Sequence, residues 1–220
     1  MADPQRLTLL SPHGVGADTV DALADALRAA CAGGDVAAVI LRLAPGDERG
    51  LTALVKRVAP AVQEHGAALL VACPGFAGDL VSVQARGGAD GVHLDKPGDL
   101  DQPGSLRDLR ERLRDGRILG AGGVETRHAA MDAGEAGIDY LMFGGLYPDG
   151  AAPDAETVRE RAAWWAEIFE TPCIAVACAE AEVASLAATG AEFIGLESAI
   201  WMAGDDGLAR IRDGLARAAS

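Results

Sequence analysis

Aromatic side chains are scarce in this chain, at 4% of 220 residues, whereas 50% are hydrophobic. A core of that make-up is filled by Ala, Val, Leu and Gly, and the length suffices for one full-sized core. Positive charge is short as well. Against 33 Asp and Glu stand 19 Lys and Arg, a formal net charge of -14, and the summed field repels phosphodiester backbones and anionic bilayers. Nucleic-acid and membrane partners are thereby excluded; a local positive pocket for a small phosphorylated metabolite is not. No apolar run approaches the ~20 residues of a membrane span. The opening MADPQR lacks the basic-then-apolar pattern of a secretory signal. The cysteines are Cys31, Cys73, Cys173 and Cys178, with no CxxC pair and no His at ligand spacing. That usage points to reduced, buried thiols in a cytoplasmic protein and away from a metal site. A dinucleotide fingerprint is missing too, because the glycines of SPHGVGAD have the wrong spacing.

What is present is alternation. Short apolar runs at 7–10, 36–41, 68–71, 91–94, 117–120, 140–143, 173–176 and 193–196 read as strands. Between them, amphipathic segments at 18–30, 51–65, 79–86, 105–114, 127–136, 156–169, 180–189, 198–201 and 208–217 read as helices. The strands are apolar throughout, as in a parallel sheet covered on its outer face. Asp18 and Thr126 stand at helix starts, and Gly66, Gly87-Gly88 and Gly190 at helix ends. Roughly eight strand–helix units close a (β/α)8 TIM barrel; a doubly wound open sheet is the alternative. No linker or low-complexity tract interrupts the chain, so residues 1–220 read as one domain.

In such a barrel the ligand site lies at the C-terminal strand ends. The richest stretch is GIDYLMFGGLYP at 137–148, where an apolar strand runs into Gly144 and Gly145. Without a Cβ, those residues let backbone approach a ligand. Arg42 ends another strand and needs a partner, either a phosphate or an internal carboxylate such as Glu197. His93 ends a fourth strand, as a ligand donor or as a satisfied barrel histidine. Asp95 and Lys96 follow it as loop residues, either functional or a solvent ion pair. Ser198 begins a helix as a phosphate ligand or an N-cap. Tyr147 borders the same face, and Asp149 follows it. Cys73 and Cys178, also at strand ends, invite thiol chemistry or are inert. Of Trp164 and Trp165, at least one belongs to the core.

Four blocks carry a family resemblance: LRLAP at 41–45, GADGVHL at 88–94, GIDYLMFGGLYP, and TPCIAVA together with TGAEFIGLESAIW in the last two strand units. On these the chain resembles the thiamine phosphate synthases and their sister thiazole tautomerases, over nearly its whole length. The resemblance implies a reaction that joins a pyrimidine-methyl diphosphate to a thiazole phosphate, with Mg²⁺ held by carboxylates. It also implies a ligand site at Arg42, His93, Lys96, Gly144, Gly145, Tyr147 and Ser198. Several family positions differ here. The magnesium aspartate is Cys73, followed by Pro74, and the leaving-group lysine is Ala44. The serine after the fifth strand is Gly122, the tautomerase histidine is Val124, and the phosphate-binding glycine pair is Ala177-Cys178. Asp99 stands where a second magnesium carboxylate would lie. The implied protein is a divergent synthase-like transferase; the alternative is a catalytically silent barrel that binds a phosphorylated metabolite or a protein, a second copy of itself included.

Overall fold

The computed structural model describes residues 5–33, 35–97, 104–113, 116–203 and 207–218. Its strands are β1 (Arg6–Leu10), β2 (Val36–Arg42), β3 (Ala68–Ala72), β4 (Gly91–Asp95), β5 (Ile118–Gly122), β6 (Tyr140–Gly144), β7 (Cys173–Ala177) and β8 (Phe193–Leu196). They pair in sequence order, all in parallel, and β8 closes on β1. The helices are α1 (Val20–Cys31), α2 (Glu48–Gln63), α3 (Leu80–Gly87), α4 (Leu106–Arg112), α5 (Arg127–Glu135), α6 (Ala155–Ile168), α7 (Val183–Ala187), α8 (Ser198–Trp201) and α9 (Gly207–Ala218). The chain is a (β/α)8 barrel, and the open-sheet alternative is ruled out. Among the described residues no helix is long and apolar enough to cross a membrane.

The continuous apolar runs conceal a division by parity, since successive strand side chains point to opposite faces. In β6, Leu141 and Phe143 pack outward among the helices, while Tyr140 and Met142 point inward. Inside the barrel they meet Leu10, Ile40, Leu70, Ala72, Ile174 and Val176. That interior is small, so bulk on one strand requires its absence on the next. Gly120 pairs with Tyr140, and a Cβ there would collide with the phenol ring. Trp165 is buried on the outer side of the sheet and stacks on Phe169, whereas Trp164 is half-buried.

The element boundaries depart from the apolar pattern in an informative way. β2, β3, β4, β6 and β7 run one residue further than expected and β5 two. The ladder continues through Arg42↔Ala72, Asp95↔Gly122 and Gly144↔Val176 after the apolar signal stops. Pairing is a backbone property, so polar and glycine residues at the rim remain in the sheet. At helix starts, side-chain caps decide. Asp47 accepts the Gly50 amide, so α2 begins at Glu48 and not at 51. Thr126 caps α5 as expected, while the residue before α1 is Thr19, not Asp18. The helix expected at 180–189 is a 3-10 turn followed by the short α7.

Candidate functional site

The C-terminal rim carries two charged clusters. The first joins β2 to the end of β8. Arg42 is 3% exposed, and its Nη1 and Nη2 donate to Glu197 Oε1 and Oε2 at 2.9 and 2.6 Å. Its Nε donates to the Ser11 carbonyl at 2.7 Å, Nη2 bonds the same oxygen, and Nη1 meets His13 Nε2 at 3.1 Å. A guanidinium has five N–H donors; four go to Glu197 and the Ser11 carbonyl, and the fifth faces His13 Nε2, a nitrogen that either accepts it or donates to the Leu146 carbonyl. Glu197 Oε1 also accepts the Leu146 amide at 2.8 Å, while His13 Nε2 lies 3.0 Å from the Leu146 carbonyl. The internal carboxylate is therefore Arg42's partner, and a phosphate would have to displace it. The charge of Glu197 is spent in the same pair, leaving no net charge at this corner.

The second cluster is on β4. His93 is not at the strand end but in its middle, pointing inward, with a fully buried side chain. Its Nδ1 lies 2.8 Å from Tyr140 Oη and its Nε2 3.1 Å from Asp95 Oδ1. The imidazole also stacks on the Tyr140 ring, 12° from parallel. An ionised carboxylate only accepts, so Nε2 carries a proton and donates to Asp95, while Nδ1 shares the second hydrogen bond of the ring with the tyrosine hydroxyl. Burial works to raise the Asp95 carboxyl, but the charge and hydrogen bond of His93, with Arg42 and His13, outweigh it and hold it below its ordinary value. Burial, with Asp95 and Asp139, pushes Tyr140 well up. β5 makes room for the cluster, because a Cβ at Gly122 would lie 2.9 Å from His93 Nε2 and 3.0 Å from Asp95 Oδ1.

Asp95 and Lys96 thus form no solvent ion pair: Asp95 is the last residue of β4 and faces His93. Lys96 alone among non-glycine described residues has a positive φ, 51°. A side chain in that region costs about 1–2 kcal/mol, and such strain concentrates at functional sites. Its Nζ lies 5.5 Å from the centroid of the Tyr147 ring and makes no ion pair among the described residues.

Between the clusters lies a cavity of about 120 Å³ lined by Leu10, Ile40, Met142, Pro74, His13, Arg42, His93, Asp95, Lys96 and Gly144–Pro148. A second lobe of about 440 Å³ adjoins it along α6 and shares Gly123, Met142, Gly144, Gly145 and Tyr147. The expected residues Arg42, His93, Lys96, Gly144, Gly145 and Tyr147 come together here. Ser198 does not. Its neighbour Glu197 is the N-cap of α8, so Ser198 is the first helical residue and outside both linings. Gly144 and Gly145 have φ of 89° and 91°, a conformation that glycine takes without strain. Asp149 stays out of both linings and accepts the Ala151 amide.

The residues at the cysteine positions are inert. Burial raises the Cys73 thiol to about 11. Burial, then Glu197 and Glu182, raise Cys178 to about 11, with the Gly145 amide and Arg42 opposing. Mg²⁺ takes oxygen ligands, so a protonated thiol at Cys73, the proline beside it and an Asp95 committed to His93 do not suit it. No group of three metal-ligating side chains occurs among the described residues. Asp99 lies outside them.

His13 and Tyr140 join the site without having been among the residues expected from the sequence. The signal for Tyr140 was present: a hydroxyl at an inward strand position requires a partner. His13 is identified only by the fold, which brings the loop after β1 against Leu146.

A family model described as thiamine monophosphate synthase matches residues 13–200. The thiamine-phosphate synthase of Rhodospirillum centenum is 34% identical over 198 residues, 89% of each chain. That of Hyphomonas neptunium is 33% identical over 216 residues, 94% of this chain and 90% of that protein. Among solved structures, a thiamine phosphate pyrophosphorylase from Pyrococcus furiosus superposes with a TM-score of 0.73 over 98% of both chains at 22% identity, a likeness of fold.

Proposed function

The chain belongs to the thiamine monophosphate synthase family, and from that premise we propose a thiamine-phosphate-synthase-like transferase whose two-lobed cleft takes a small phosphorylated precursor. Lys96 carries the reading: among the described residues it lines the cavity without an ion pair, held in a strained conformation at the mouth. It anchors one phosphate. The Tyr147 ring lies against the ligand body, and Leu10, Ile40 and Met142 keep water from the floor. Arg42 and Glu197 act at one remove by fixing the Leu146 amide and so the loop that carries Tyr147.

The family reaction also expels a diphosphate, roughly three negative charges to be matched in a site closed to water. One unspent lysine beside an aspartate matches a single phosphate better. Formation of thiamine phosphate from both precursors is therefore expected below a hundredth of an ordinary family rate, a loss of at least about 2.7 kcal/mol in barrier terms. Product assay with Mg²⁺ present measures it. Turnover of about 1 s⁻¹ or more, ordinary for enzymes, would mean that Arg42 exchanges Glu197 for substrate. A second reading, a silent barrel that binds a phosphorylated metabolite, is favoured by the Arg42–Glu197 pair. It predicts thermal stabilisation by a precursor, about 2.7 kcal/mol at 100 times Kd, without product.

A further inference from the structure

Asp95 and Lys96 are consecutive and both line the cavity. If Lys96 anchors an oxyanion, the reading on which this inference rests, a carboxylate beside it needs a reason. His93 Nε2 lies 3.1 Å from Asp95 Oδ1, and among the described residues Oδ2 has no hydrogen bond. The Asp95 side chain is 26% exposed, so its second oxygen is open to whatever enters. An ionised carboxylate only accepts hydrogen bonds. A fully deprotonated oxyanion set against it is repelled, and both are left with an unmet acceptor.

The contact needs a proton, and the surroundings decide which side supplies it. The Asp95 carboxyl is faced by His93 of its own strand, by Arg42 of β2 and by His13 of the β1–α1 loop. Tyr140 of β6 lies behind His93, and Glu197 after β8 is spent on Arg42. β3 ends in Ala72 and β5 in Gly122, neither of which titrates. Burial works to raise the carboxyl, and the neighbouring cationic groups nonetheless hold it below its ordinary value. Asp95 therefore stays an acceptor, and the proton has to arrive with the ligand.

We infer that the cavity selects an oxyanion that carries its own proton: a phosphate whose P–OH donates to Asp95 Oδ2 while its charged oxygens meet Lys96. The ligand class is hydrogen phosphate, either the free ion or the singly ionised form of a phosphate monoester. Sulfate and phosphodiesters have no such proton near neutral pH and are rejected. No proton changes hands on binding, and no covalent bond is made or broken. A site built to bond a ligand hydroxyl rejects the analogue that lacks it, because its own polar group is left unmet. Cavity size suits a single tetrahedral group, since about 120 Å³ is less than the ~150 Å³ that holds benzene.

Inorganic phosphate and sulfate are the probes, because at pH 8 they share shape and charge and differ in the proton. Calorimetric titration at fixed ionic strength should give phosphate at least about tenfold the affinity of sulfate, the factor a hydrogen bond to a charged group supplies. In Asp95→Asn the side-chain amide can donate, so sulfate should gain and the two anions bind alike, a gain that loss of structure does not produce. Methyl phosphate is the ester arm. Its affinity should fall about tenfold per pH unit above its second pKa, about 6. Inorganic phosphate keeps a P–OH through pH 8 and should vary by only a few fold, which controls for titration of the protein. Phosphate bound and methyl phosphate unbound at pH 5 would name the free ion as the ligand. These comparisons in the parent stand even if Asp95→Asn does not fold. Equal affinities for phosphate and sulfate in the parent, a methyl phosphate affinity that does not change with pH, or a phosphate preference that survives in Asp95→Asn overturns the selection and leaves the anion reading in place. Neither anion bound at about 20 mM, well above a millimolar Kd, overturns the anion reading as well.

Discussion

Two charged pairs end neighbouring parts of the same rim, and they are finished differently. Arg42–Glu197 is sealed, with side chains 4% and 0% exposed, and four of the five guanidinium donors go to Glu197 and the Ser11 carbonyl. The Asp95–Lys96 corner is left open: among the described residues the Asp95 side chain bonds His93 and faces the cavity, and Lys96 rests on a ring. Each device has its own energetics. The sealed pair ties β2, β8 and the β6–α6 loop together and adds nothing a ligand can use without breaking it. In the open pair some stability is forgone, as the left-handed backbone of Lys96 testifies, and a charge is left available.

The sharpest way to break the comparison is to unseal the first pair. Glu197→Ala leaves a buried guanidinium with no counter-charge and frees the Leu146 amide, so stability should fall by about 3–5 kcal/mol. Denaturant titration reads this. Arg42→Met with Glu197→Leu removes both charges and should recover most of the loss, because replacing a buried pair by apolar volume is often neutral. A double variant as unstable as the single one would show that the hydrogen bonds to Ser11 and Leu146, and not the charge pair, hold this corner.

How much of this was legible beforehand follows the same division. Eight apolar runs gave the barrel because parallel strands advertise burial on both faces. Gly144 and Gly145 were legible because a strand that ends in paired glycine signals close backbone approach. Arg42 was correctly seen to need a partner, yet the choice between phosphate and Glu197 depends on residues 155 apart in sequence that only closure of the barrel brings together. Ser198 opens α8 as its sequence position suggests, but Glu197, drawn inward by Arg42, takes the cap position, and Ser198 lines neither lobe of the cavity. The Tyr140–His93–Asp95 line was hidden by the apolar appearance of β4 and β6, where parity and not composition says which way a side chain points.

The open pair should reveal itself through acid. The Asp95 carboxyl is depressed in the folded protein, so it contributes stability that is complete above its unfolded value, near 3.9, and is lost as pH falls through the folded value. Asp95→Asn removes that dependence. Its stability against pH should be flatter than the parent's on the acid side, with the two curves converging at low pH and the parent ahead at neutrality. Denaturant midpoints from pH 2 to 7 measure this, and parallel curves would mean that Asp95 does not gain from His93.

The smallest effect tests whether the mouth is strained for use. Lys96→Met keeps the stem and the positive φ but loses the charge over Tyr147, worth about 0.5–1 kcal/mol. Lys96→Gly loses the same contact and relieves about 1–2 kcal/mol of left-handed backbone cost, while the freer unfolded chain takes back about 0.4–1 kcal/mol. The glycine variant should therefore match the parent within about 0.5 kcal/mol and stand above the methionine variant, a reversal of the usual ranking of the two residues. Both should lose the thermal stabilisation by a phosphorylated precursor alike. If glycine is instead the less stable by about 1 kcal/mol, the backbone at Lys96 is not strained, and the residue's position at the mouth reflects loop packing and not a conformation kept for its charge.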